Sequence, residues 1–107
     1  MGGEGSGASS SLAVSMLDFS FIPDEKPMHA PGLNYAGGIE YEEFIEAQRL
    51  KIIESYLDYY GKFRWISQNV QQKRAMLTPA VAAALPSLTS ILKQAFAAEC
   101  GLVAFGD

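Results

Sequence analysis

Three prolines four residues apart, Pro23, Pro27 and Pro31, do most to limit what the first third of this chain can become. Each removes a backbone donor and pushes its predecessor toward extended conformations, so no helix is expected from Ile22 to Gly38. The residues around them are nonetheless apolar: Leu12, Met16, Leu17, Phe19, Phe21, Ile22 and Met28. Phe19 and Phe21 alternate around Ser20 as in a strand, yet a single short strand has no evident partner. Residues 12–38 therefore read as an extended arm that needs another surface to cover it. Folding back onto the chain's own helix is the alternative.

Ahead of the arm, residues 1–11 are a Gly/Ser tract and read as a flexible tail. No basic segment precedes the short apolar run Leu12–Leu17, which Ser15 interrupts, so no secretory signal is expected. Gly2 and Ser6 match the loose myristoylation pattern. One acyl chain in an acidic neighbourhood anchors weakly, and the match reads as an accident of composition.

After Gly37-Gly38 the pattern changes. Ile45, Ile52, Tyr56, Tyr59, Phe63, Ile66, Val70 and Leu77 recur at steps of three, four or seven, and Leu50, Ile53, Leu57 and Tyr60 widen the stripe. Glu40, Glu42, Glu43 and Glu46 stand at its start and Lys73 and Arg74 near its end, as a helix dipole favours. The spacing predicts one long amphipathic helix over about 39–77, roughly 55–60 Å at 1.5 Å per residue, with Gly61 as its weak point. Thr78-Pro79 then starts a short helix that Pro86 ends, and Ser87 starts another, capped by Gly101. The fold class expected is all-α: a tail (1–11), an arm (12–38) and a helical region (39–107) with no independent compact core.

Charge and composition narrow the function. The chain is 49% apolar and 19% charged, which excludes a wholly disordered protein. Its net charge of −4 divides into −7 over residues 1–60 and +3 over residues 61–107. A gradient of this kind hints at an oriented partner surface. A single cysteine, Cys100, excludes a disulfide framework, and a single histidine, His29, stands in a proline-rich stretch. No Glu-x-x-His, phosphate loop or paired nucleophile and base is present, so no enzyme, metal or cofactor is expected.

The function expected is a non-enzymatic structural or accessory subunit of a larger assembly, such as a multi-subunit complex or a virion. Its partners would be other protein subunits or copies of itself. They would be met through Phe19, Phe21 and Ile22 of the arm and through Tyr56, Tyr59, Tyr60, Phe63 and Trp65 of the long helix. Two alternatives belong to other classes. The charge-free stretch Ala75–Leu92 makes segment 75–105 a candidate for membrane association, although two prolines interrupt it. Lys62, Arg64, Lys73 and Arg74 make segment 62–74 a candidate anionic-partner contact, a nucleic acid among them, although a solvated helix face explains it as well. No feature of the sequence fixes a cellular location; with no secretory signal expected, an intracellular place or one within an assembled particle is favoured.

Overall fold

The apolar segments on either side of the prolines pair with each other. The computed structural model describes residues 16–106. Its elements are β1 (Leu17–Ile22), β2 (Asn34–Ile39), α1 (Tyr41–Arg49), β3 (Lys62–Trp65), α2 (Ser67–Ala75), α3 (Pro79–Ala84), α4 (Pro86–Ala97) and β4 (Gly101–Phe105). The strands form one antiparallel sheet in the order β2-β1-β4-β3. The expectation of an all-α chain without a compact core is thus overturned: the described residues form a compact α/β fold with a four-stranded sheet and four helices. The tail and the start of the arm, residues 1–15, lie outside the described residues.

Two parts of the sequence reading change for physical reasons. The arm is a hairpin whose prolines occupy the β1–β2 connection, where missing donors do no harm; Lys26 and Ala30 close turns onto Pro23 O and Pro27 O. The expected helix over 39–77 is α1, a loop, β3 and α2. It breaks first at Lys51, which takes a left-handed backbone (φ 68). There Lys51 N–H bonds to Gln48 O and Ile52 N–H to Ala47 O, the paired bonds of a Schellman cap. Farther on, Phe63 and Trp65 point inward between the outward Lys62 and Arg64, a period of two rather than 3.6.

The core forms where the helices meet one face of the sheet. Phe19 and Phe63 flank Ala104 in register from the two strands beside β4, and the small alanine lets their rings meet edge to face at 6.1 Å. Trp65 closes the cluster, 5.7 Å from Phe19 and 5.3 Å from Phe63. Val70 of α2 and Leu88, Ile91 and Leu92 of α4 belong to the same buried cluster, together with Leu17, Ile39, Leu102 and Ala104. The C-terminal LVAF belongs to the buried strand β4 at the middle of the sheet. Close approach of α4 to β2 depends on Gly37 (φ 144), since a Cβ there would lie 3.0 Å from Ile91 Cγ1.

Candidate functional site

The residues singled out in the sequence separate into a buried set and an exposed one. Phe19, Ile22, Tyr59, Phe63 and Trp65 are buried, and Phe21 is half-buried against the core. Only Tyr56 and Tyr60 of the expected partner contacts face solvent, at 82% and 59% exposure. Two side chains of α1, Tyr41 and Ile45, are exposed as well, at 51% and 43%. Tyr59 links Tyr41 to Tyr60. Its ring is buried, its hydroxyl donates to Ile39 O, and Tyr41 and Tyr60 pack edge-on against it at 5.2 and 5.0 Å. The helix sets Tyr41 and Ile45 one turn apart on one face. At the other side, Asp58 accepts from Tyr60 N–H and from Gly61 N–H through its side chain and carbonyl, which fixes the turn. Tyr41 and Ile45 could have been found from the sequence as an i,i+4 pair at the start of the apolar stripe.

The basic residues do not gather into one patch. Lys73 is 7% exposed; its Nζ donates to Ile52 O at 2.6 Å and Glu54 Oε2 at 3.0 Å, and lies 4.5 Å from the Trp65 ring. Trp65 Nε1 donates to the other Glu54 oxygen at 3.2 Å, and Gln48 Nε2 donates to Glu54 O and Leu57 O. Together they pin the loop between α1 and β3. Arg64 Nη2 donates to Pro23 O and Asp24 O, tying β3 to the hairpin connection. Lys62 lies over Phe105, and Arg74 over Phe96.

Asp24 makes a second anchor. Its carboxylate accepts from Ser67 N–H at 2.8 Å and from Ser67 Oγ–H at 2.6 Å, so it caps α2 from the hairpin connection. The Ser67 side-chain and backbone bonds, with Arg64 behind them, hold the Asp24 carboxyl below its ordinary value against a small opposing effect of burial. Asp24→Ala is expected to lower stability by about 1 kcal/mol, the usual worth of such a cap. Because the folded carboxyl is the stronger acid, its contribution is present at neutral pH and is lost as pH falls through the depressed value. Urea melts at pH 7 and pH 3 check both points: the gap between wild type and variant should shrink in acid.

Nothing in this arrangement activates a nucleophile. Burial pushes the Cys100 thiol up, and Asp24 adds to the rise against a backbone hydrogen bond from Ile22. The thiol borders a cleft of about 370 Å³ with Phe21, Lys26, Leu33 and Asn34. His29 is exposed on the hairpin connection. Among the described residues no group of three or more His, Cys, Asp or Glu is placed to hold a metal, and no helix is long and apolar enough to cross a membrane. Segment 75–105 instead forms α3, α4 and β4, with Leu85, Leu88, Leu92 and Leu102 buried. Comparison with protein-family models, with curated proteins and with solved structures finds no match to this chain.

Proposed function

We propose that the protein is a small non-enzymatic binding module that docks on another protein through Tyr41, Ile45, Tyr56 and Tyr60. The observation that carries the reading is that these four large side chains stand exposed, two of them, Tyr41 and Tyr60, packed edge-on against buried Tyr59. Fully burying an apolar side chain of this size is worth about 1.5–3 kcal/mol, so a fold that leaves several out retains that free energy for association. Tyrosine suits the role, since an apolar ring with a polar tip tolerates both water and contact. Two of the rings are also held in place: Asp58 fixes the turn that carries Tyr60, and Tyr59 backs both Tyr41 and Tyr60. Little side-chain ordering remains to oppose binding.

The test is a variant carrying Tyr56→Ser and Tyr60→Ser. Both sites are exposed, so its urea midpoint should stay within about 0.5 kcal/mol of wild type. Partners recovered with the native protein should be lost from the variant. Recovery of the same partners at the same level by the variant would refute the reading.

A further inference from the structure

We propose that the outer edge of β2 and the groove beside it receive an extended, lysine- or arginine-bearing segment of a partner protein, added to the sheet as a further strand. The proposal is independent of the tyrosine surface. β2 ends the sheet, and among the described residues it pairs only with β1. A strand edge left open in this way presents a row of backbone donors and acceptors.

The two edges of the sheet are treated differently. β3, the opposite edge, has only four residues and carries Lys62 and Arg64, the short charged form that resists pairing. β2 has six, Asn34-Tyr35-Ala36-Gly37-Gly38-Ile39, with neither proline nor charge. It has one irregularity, a bulge at Ala36 where the β1 register shifts, and Gly37–Ile39 beyond it stay in register.

Beside this edge lies room for side chains. A groove of about 400 Å³ runs between Ala36, Gly37 and Gly38 of β2 and Ser87, Ser90 and Ile91 of α4. Gly38 and two serines leave it open, and Ile91, packed against Gly37, supplies an apolar wall. An edge strand facing a helix across an open groove is the geometry by which extended peptides bind: backbone pairing gives affinity and the groove selects alternate side chains.

Charge chooses the occupant. The groove continues past Gly38 and Ser87 into a cleft of about 300 Å³ lined by Glu40, Glu42 and Glu43 and, among the described residues, by no cation. Glu43 Oε2 already accepts from Leu88 N–H at 2.7 Å, which takes up the anion-binding end of α4. A peptide carboxylate is therefore unwelcome there. Glu40 and Glu42 remain for a cationic side chain.

The test is a titration of the full-length, isotopically labelled protein with the capped peptide acetyl-Lys-Val-Ser-Val-Ser-Val-amide. Saturable shifts are expected at the amides of 34–40 and 87–91. Ser90→Trp, at an exposed helix position, should fill the groove and weaken binding at least about tenfold with the melting temperature unchanged. Glu40→Lys with Glu42→Lys should do the same, and should favour a peptide carrying Glu in place of Lys. Methylating alternate peptide nitrogens should abolish binding. Undiminished binding by the methylated peptide or by Ser90→Trp would overturn the proposal, as would shifts mapping elsewhere or none at about 1 mM peptide, the weak end of specific recognition.

Discussion

Replacing Lys73 with alanine is expected to lower stability by about 2–4 kcal/mol. Breaking a buried ion pair by removing one partner typically costs about 3–5 kcal/mol, because the other charge is stranded. Here the stranded groups are Ile52 O and Glu54 Oε2, which lie 2.6 and 3.0 Å from Nζ. The Glu54 side chain is 33% exposed, so water recovers part of its solvation and the expected value falls below the top of that range. The rest of the loss is packing, since the lysine stem and ammonium cover the Trp65 ring. Lys73→Met retains the stem and should cost less than alanine. A pH arm identifies the partner. Burial pushes the Glu54 carboxyl up, but its own backbone amide, Lys73 and Trp65 together outweigh burial and leave it below its ordinary value. A depressed carboxyl stabilises the fold above its unfolded value, about 4.3, and loses that contribution as pH falls through the folded one. Wild type should therefore weaken more steeply in acid than Lys73→Ala. Urea midpoints between pH 7 and pH 3 measure this; equal midpoints at pH 7 would show the pair to be incidental.

Those same residues show where sequence reasoning stops. Most of the prolines were legible: Pro23, Pro27 and Pro31 exclude helix and Thr78-Pro79 begins α3, but Pro86, expected to end that helix ahead of one started by Ser87, is itself the first residue of α4. Thr78 Oγ1 accepts from Val81 N–H as an N-cap should. Leu88, Ile91, Leu92 and Ala95, which helical spacing puts on one face of α4, are buried, and Phe96 beside them is left half exposed. Helix ends marked by glycine were not a safe guide. α1 and α4 both close with Schellman bonds on a charged residue in left-handed conformation, Lys51 (φ 68) and Glu99 (φ 57). A side chain there is strained, so nothing in the local sequence announces the stop; Gln48 and the buried Lys73 hold the departing loop from a distance. β3 was hidden differently. Phe63 and Ile66 fit a helical stripe when counted from Tyr56 and Tyr59, yet within Lys62–Trp65 the buried Phe63 and Trp65 alternate strictly with Lys62 and Arg64. Four residues are too few for one period to outvote the other. Which aromatic side chains stay exposed was half legible for the same reason. A stripe tells which residues are apolar, and the break at Lys51 decides which of them stay outside, so Tyr59, Phe63 and Trp65 went in while Tyr56 and Tyr60 remained out.

Gly101→Ala is expected to cost about 3 kcal/mol, although it adds a single methyl group. Gly101 was read as a helix cap, but the backbone does not need it for that: Glu99 takes the left-handed position and Gly101 opens β4. Its reason for being glycine is distance. A Cβ there would stand 2.3 Å from Trp65 O and 3.0 and 3.1 Å from Ile66 Cα and C. All three are backbone atoms, so no side chain can rotate away, and the clash must be relieved by moving the end of β3 from β4. That motion breaks in two directions. Trp65 pairs with Leu102 and carries the Glu54 and Lys73 contacts, while Ser67, two residues on, is held by Asp24. Overpacking typically costs about 1–3 kcal/mol, and a clash confined to backbone belongs at its upper end. Gly32→Ala is the control. Gly32 has a positive φ of 74 but nothing within 4 Å of the added carbon, so only left-handed strain of about 1–2 kcal/mol applies. Urea denaturation of the two variants separates crowding from backbone strain. Equal losses would mean that the β3–β4 junction has slack; a larger loss for Gly101→Ala, with faster amide exchange at Leu102 and Trp65, would place the damage at the strand that joins the two anchored loops.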